Sequence, residues 1–272
     1  MNSRARRTRI TGWALAALTA IVVLGPLAAA AAAAFSSPAD FAQQRVRQLS
    51  FDNFAALFSQ PETLLYPIIT TLAVTLIVTA AQTATSILAC YAFCFFRFRG
   101  RRLLLAVYLV GYLAPPVVTV IPLYVMFAQA GLIGTFWALV IPFALASPYA
   151  VLLLRQAFLA IPIDLMDAAA LDGAGAGRTL RLVVLPIAKP TVLTVTLVAG
   201  VSTWNSFLWP RLAAGIQLPQ VQVAIASLQT EHSSNWTLVM AASLIALAPP
   251  LVATVILQRS ILRTINVKES AL

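Results

Sequence analysis

Long apolar runs, separated by short and mostly basic segments, set the first reading of this chain. They cover about residues 12–34, 68–94, 103–127, 136–154, 191–209 and 238–257. Each holds roughly 19 to 27 residues, enough for a helix to cross about 30 Å of hydrocarbon. The pattern predicts an all-α integral membrane protein with six transmembrane helices. An N-terminal tail (residues 1–11) and a C-terminal tail (259–272) flank the spans. A cleavable signal peptide competes for the first run, because its alanine block contains small-residue cleavage sites. The run is longer than the 7–15 apolar residues of a signal core, which favours an uncleaved helix.

Polar positions inside and between the runs refine this. Phe35 to Thr63 is polar; Asp52 or Asn53 is expected to cap a short surface helix lined by Phe54, Leu57 and Phe58. Leu64 to Phe96 is too long for one straight span and predicts a turn near Tyr66-Pro67. Within it Thr71, Thr75, Thr79, Gln82 or Thr83, and Ser86 recur at helical spacing. Such a stripe serves interhelical hydrogen bonding and close packing, or lines a polar pathway; packing is the stronger reading. Pro115, Pro116 and Pro122 break the third span, freeing carbonyls that neighbours must satisfy.

Composition agrees with a bilayer. The 272 residues are 61% hydrophobic and 10% charged, with a mean hydropathy of +0.90, whereas soluble domains carry about 25% charge. The net charge of +10 does not signal nucleic-acid binding, because the basic residues are dealt out between apolar runs instead of forming one patch. With both termini inside, the cytoplasmic segments hold Arg4, Arg6, Arg7 and Arg9; Arg97, Arg99, Arg101 and Arg102; Arg155, Arg178, Arg181 and Lys189; and Arg259, Arg263 and Lys268. Only Arg45, Arg47 and Arg211 fall outside, so 15 of the 18 basic residues obey the positive-inside rule. The segment 155–190 is thereby cytoplasmic, and the spans place the protein among membrane lipid.

Several chemistries are excluded. No ionisable side chain lies within the six predicted spans, which argues against a proton relay or voltage sensor. Nothing pairs a nucleophile with a base or spaces ligands for a metal, so no catalytic or metal residue is assigned. His232 stands alone in an outer loop. Cys90 and Cys94, four apart on one helix, read as small packing residues, poorly aimed for a disulfide. The run Asp172–Thr179, DGAGAGRT, misses the phosphate-binding pattern G-x-x-x-x-G-K-[ST]: Asp172 stands for the first glycine and Arg178 for the lysine. If ATP drives this protein, another subunit hydrolyses it.

The longest polar interruption, Ile161 to Pro190, carries three of the eight acidic residues: Asp164, Asp167 and Asp172. Pro162 suits the start of a helix and carboxylates suit its first turns. Gly173 is a C-terminal cap, and a second short helix from about Gly177 to Val184 is expected to stop at Leu185-Pro186. A helix–glycine–helix hook held at both ends by spans is either a docking element that carries a push into the bundle or an ordinary amphipathic loop.

The hook resembles the EAA loop of permease subunits of ATP-binding-cassette importers, E-A-A, three residues, G, nine residues, I-x-L-P. Here the chain reads Asp167-Ala168-Ala169, three residues, Gly173, nine residues, Val183-Val184-Leu185-Pro186. The spacing matches in full, with Asp167 for glutamate and Val183 for isoleucine. The segments SFDNFAALF, TWNSFLWP and SNWTLVMAAS are similar to those of maltose- and glycerol-phosphate-type sugar permeases. The resemblance implies that Asp167, Ala168, Ala169, Leu171, Gly173, Leu185 and Pro186 couple the chain to an ATPase. It implies as partners a homologous second permease in a heterodimer, two ATPase subunits that bind ATP and Mg, and an extracytoplasmic solute-binding protein. The chain itself would bind no cofactor. The implied cargo is a sugar or sugar derivative, with glycerol-3-phosphate or another polyol as the alternative. The tail RTINVKESAL departs from the family's usual ending, and no contact is carried over to it.

For the solute pathway the candidates are Trp204, Asn205 and Trp209, since aromatic faces stack on sugar rings and amides bond hydroxyls. Interfacial tryptophans also anchor helices, the stronger role for Trp209. Gly173→Asp or Ala169→Asp is expected to insert normally and lose substrate-dependent transport, measured as uptake normalised to membrane abundance.

Overall fold

The computed structural model describes residues 3–43, 49–113, 115–214, 218–231 and 235–269. Every regular element among them is helical. In order they are α1 (Ser3–Ala34), α2 (Pro38–Ala42), α3 (Asp52–Ser59), α4 (Leu65–Phe95), α5 (Arg101–Tyr112) and α6 (Pro116–Gln129). Then come α7 (Phe136–Val140), a 3-10 turn (Ile141–Phe143), α8 (Pro148–Leu159), α9 (Ile163–Leu171) and α10 (Ala176–Thr179). A π-helical turn (Leu180–Val184) leads into α11 (Leu185–Trp204), followed by α12 (Leu208–Ala213), α13 (Val221–Glu231) and α14 (Trp236–Glu269). Five stretches are long and apolar enough to cross a bilayer: Leu15–Ala34, Leu65–Phe95, Phe136–Leu159, Ala176–Trp204 and Trp236–Gln258. The chain forms two compact units, one of residues up to 66 with 224–248, the other of 67–223 with the residues from 249 on.

In the first unit, α1 exposes Trp13, Leu15, Leu18, Ile21 and Leu24 on all sides and buries Ala33 and Ala34 at its end. Such a surface is stable only against lipid. The last carbonyls of a helix have no intrahelical donor, and here a distant side chain supplies two. Asn53 Nδ2 donates to Ala34 O at 2.8 Å and to Ser36 O at 2.9 Å. Its Oδ1 accepts from Thr237 Oγ1 at 3.1 Å, fastening the start of α14. This corrects the expected cap: Phe51 occupies the N-cap of α3, and Asn53 lies inside the helix, buried. Leu57 is fully buried beside it, while Phe58 is exposed. Phe35 packs on Phe51 and Phe54 with ring centroids 5.3 and 4.9 Å away.

In the second unit the core joins three long elements: Cys90, Tyr91 and Phe93 of α4, Val151, Leu154 and Phe158 of α8, and Val184, Ala188 and Val195 of the π turn and α11. Phe95 stacks on Phe158 at 6.3 Å. Cys90 and Cys94 are free thiols within this core, Sγ to Sγ 3.8 Å. The fourth span does not stop at Leu154; α8 continues past Arg155 to Leu159 because Val151, Leu154 and Phe158 keep one buried face across the charge.

The same span is interrupted. After the 3-10 turn the chain leaves helical geometry until Ser147, which precedes Pro148 in an extended conformation (ψ 133°), as a residue before proline favours. The backbone groups this frees are met by side chains. Gln82 Nε2 donates to Phe143 O at 3.1 Å, Thr85 Oγ1 to Ala144 O at 3.2 Å and the Tyr108 hydroxyl to Ala146 O. Ser147 N donates to Ser86 Oγ at 3.0 Å. The polar stripe of α4 also holds Thr71, whose Oγ1 donates to Pro67 O at 2.7 Å and accepts from Val221 N at 2.8 Å, satisfying the first free donor of α13. Thr79 lies against Gly200, where an added Cβ would sit 3.5 Å from its Oγ1.

The third predicted span is broken at Pro115-Pro116, as expected, while Pro122 lies inside α6. Residues 103–127 form no straight helix: α5 and the residues from Val117 on are bent by 103°. Pro115 adopts ψ 128° ahead of Pro116, a conformation that ends a helix. The turn expected before or within Tyr66-Pro67 falls just before them, and both residues lie in the first turn of α4.

Removing either staple should be visible as lost stability. Asn53→Leu leaves two carbonyls unmatched and is expected to cost about 3 kcal/mol; Ser86→Ala frees one buried N–H and should cost about 1–2 kcal/mol. Thermal unfolding in detergent measures both, with Leu76→Ala on the exposed face of α4 as a near-neutral control.

Candidate functional site: the hook and a polar cavity

The hook is built by two interruptions of helical geometry. Pro162 occupies the N-cap of α9 (ψ 133°), and Asp164 follows in the first turn. At the other end Gly173 has φ +72°. Its N–H donates to Ala170 O at 3.0 Å, and Ala174 N reaches back to Ala169 O at 2.9 Å. These two bonds make a Schellman turn, which needs a left-handed residue at this position and therefore favours glycine. A Cβ on Gly173 would meet no atom within 4 Å, so conformation, not crowding, selects it.

The two faces of α9 differ in role. Met166 is half-buried against the core, Ile161 just before the helix is buried, and Ala169 is 8% exposed. Asp164, Asp167, Ala168 and Leu171 point away, at the three- and four-residue spacing that aligns one face. Leu171 is 90% exposed. Ala169, expected among the partner-facing residues, instead seats the helix on its own chain.

Beyond the hook the second helix does not stop at Leu185-Pro186, contrary to expectation. One continuous helical stretch runs from Ala176 to Trp204. Proline cannot donate to the carbonyl four residues back and its ring crowds that carbonyl. The chain widens just before it: Leu185 N donates to Leu180 O, a five-residue step. A π turn of this kind absorbs the proline without ending the helix. Leu185 packs half-buried on the core and Pro186 is exposed.

The pathway candidates fall in different settings. Trp204 is buried at the end of α11. Asn205 is the exposed C-cap, its Oδ1 accepting from Gln222 Nε2 at 3.2 Å. Trp209 is buried, its Nε1 donating to Ala138 O at 2.9 Å and its ring edge-on to Phe127 at 5.6 Å. Of the three, Trp209 alone lines a cavity of about 150 Å³, with Gln82, Phe143, Ser202, Thr203, Ser206 and Gln220 among its other walls. That is about ten times what one water requires. Gln220 is 2% exposed and its Oε1 has no hydrogen-bond partner in the protein. A buried amide oxygen without a partner is costly, and this one belongs to a residue of the cavity wall. Among the described residues no charged side chain lines this cavity. Gln82 belongs to the stripe that sequence offered as a pathway face; Ser202, Thr203, Ser206 and Gln220 were missed, and the available signal was a polar cluster at the end of an apolar run. Among the described residues no group of three His, Cys, Asp or Glu gathers to hold a metal. His232, Arg45 and Arg47 lie outside the described residues.

The chain thus combines broken apolar spans, a capped hook with one exposed face and a polar cavity. The chain belongs to the family of binding-protein-dependent transport system inner membrane components, whose sequence model matches residues 83–267. It is accordingly a multi-pass permease of an ATP-binding-cassette importer, resident in the inner membrane. It is 31% identical over 191 residues to the sn-glycerol-3-phosphate transport system permease protein UgpE of Yersinia pestis bv. Antiqua (strain Antiqua), covering 68% of this chain and 67% of that one. To the arabinooligosaccharides transport system permease protein AraQ of Halalkalibacterium halodurans it is 25% identical over 212 residues, covering 78% and 76%. The fold is shared with a chain of a bacterial ABC transporter involved in the import of the acidic polysaccharide alginate, at a TM-score of 0.80, 23% identity and coverage of 95% and 98%.

The two faces of α9 predict different losses. Leu171→Asp is expected to leave membrane abundance within about 20% of normal and reduce uptake at least about tenfold, as removal of a central apolar contact does. Ala169→Asp should instead lower abundance, because it buries a carboxylate. Quantitative immunoblotting beside uptake separates the two outcomes.

Proposed function

We propose that this permease moves a neutral sugar or sugar derivative inward through six spans, counting the bent pair α5–α6 as one, with both termini and the hook in the cytoplasm. The hook docks on a separate ATPase subunit, which holds ATP and Mg. A second homologous permease and a second ATPase complete the membrane assembly, and an extracytoplasmic binding protein delivers the solute. The basic-residue count supports this orientation, and the outward face of α9 supports the docking: Asp167, Ala168 and Leu171 meet the ATPase while Gly173 sets the turn. ATP-driven closure of the ATPases would then pull on α9, and the continuous helix from Ala176 would carry the displacement toward the cavity, a rigid-body transmission.

The observation that carries the choice of solute is the cavity's uncharged wall. Hydroxyls of Ser202, Thr203 and Ser206 and the amides of Gln82 and Gln220 match the donors and acceptors of a sugar ring, and the Trp209 ring supplies an apolar face. The second reading, glycerol-3-phosphate, is favoured by the UgpE relatives. A phosphate taken from water without a paired cation is costly, and this wall offers none. The test is binding-protein-dependent uptake of a panel of labelled neutral sugars and glycerol-3-phosphate. Uptake of a neutral sugar is expected, with substrate-stimulated ATP hydrolysis lowered at least about fivefold by Gln220→Leu. The effect of Asn205→Ala separates a pathway role from a purely capping one: an unchanged response removes Asn205 from the pathway. Preferential uptake of glycerol-3-phosphate overturns the neutral-sugar reading.

A further inference from the structure

A second recess lies beside the start of the long helix, away from the polar cavity. Ile87 and Leu88 of α4 face Leu180, Leu182 and Leu185 across a groove that also holds Arg178 and Arg181. The groove continues along α11 past Ile87, Arg181 and Leu185 to Lys189, Val192 and Leu193. Its walls are mainly hydrocarbon, and none of its lining residues is acidic. Arg178, Arg181 and Lys189 are all exposed. Leu88 and Leu182 are 59% and 69% exposed, so the apolar floor is open as well.

The placement of the charges makes this more than a greasy surface. Arg181 and Lys189 are eight residues apart on one continuous helix, about 12 Å along its axis at the usual rise. Lys189 lines the same groove as Ile87, Val192 and Leu193, at the end of the basic segment 155–190. A cation set among apolar side chains is expensive unless an anion or water meets it, and the stem of a lysine can lie along hydrocarbon while its head joins other polar groups. A ligand that satisfies the groove must join an anionic head to long apolar tails. We infer that this groove binds an anionic phospholipid. Its phosphate sits between Arg181 and Lys189, with Arg178 at the outer edge, and its acyl chains lie along Ile87, Leu88, Leu185 and Leu193. Charge complementarity selects this occupant over a zwitterionic lipid, and the apolar floor selects it over free phosphate. The binding site begins at Gly177, three residues after the Schellman turn closes at Ala174, so a bound lipid would brace the helix onto which the hook is joined.

The inference does not depend on which solute is carried. The full-length chain, extracted from membranes in non-ionic detergent, is washed and its retained lipid identified by mass spectrometry. It is then titrated with phosphatidylglycerol and, separately, with phosphatidylethanolamine and with inorganic phosphate. Selective retention of anionic lipid is expected, with affinity lowered at least about tenfold in the double variant Arg181→Gln/Lys189→Gln. The charge-preserving Arg181→Lys/Lys189→Arg should restore it, which separates loss of charge from loss of fold. Arg97→Gln/Arg99→Gln, outside the groove, should leave it unchanged. Equal retention of phosphatidylethanolamine, equal affinity of the Gln variant, or competition by inorganic phosphate alone would overturn the proposal. So would a photo-crosslinker at Leu88 that captures a protein subunit in the membrane instead of lipid.

Discussion

The interruption at Phe143–Ser147 is the constraint around which the larger unit is arranged. A helix that breaks inside an apolar layer exposes carbonyls and an N–H that no solvent can meet. Here four side chains from other helices meet them: Gln82, Thr85 and Ser86 from α4 and Tyr108 from α5. That requirement places α4 and α5 against the break, and it explains why a very apolar helix carries a polar row. Gln82, Thr85 and Ser86 of α4 mend a neighbour's backbone, and Thr71 does the same for the first N–H of α13. Such bonds hold the helices in register where hydrophobic attraction, weak between surfaces already bathed in lipid, cannot.

The hook depends on a second kind of backbone exception. Gly173 alone supplies the left-handed residue of its Schellman turn, and the π turn before Pro186 lets the next helix run on without a joint. A stiff rod from Ala176 to Trp204 therefore links the hook to the residues beside the cavity. The outward face of α9 and the cavity lie toward the two ends of that one helix. Ala169 and Leu171 show how finely the roles divide: two residues apart, one holds the helix to its own chain and the other is left uncovered.

Much of this was legible in residues. The apolar runs announced membrane helices, the prolines of the third run announced its break, and the spacing from Asp167 through Gly173 to Leu185-Pro186 announced the hook and its family. Proline was read less well elsewhere. It was taken to end the second helix of the hook at Pro186, where a widened turn carries the helix through. Local preference states that proline removes a donor; it does not say whether a neighbour or an extra residue in the turn will compensate.

What the sequence determined by itself follows from short-range physics: helix length against bilayer thickness, charge on one side of the membrane, and a glycine where φ must be positive. These depend on residues within a turn or two of each other. The tertiary structure decided which polar side chains serve backbone and which face a void. Gln82 mends a carbonyl and lines the cavity, Asn53 reaches from α3 to the end of α1 instead of capping its own helix, and Gln220 is left with an unmatched oxygen. A polar residue's role in a membrane protein is set by the nearest unsatisfied group, and that group is contributed by another helix whose position no local pattern encodes.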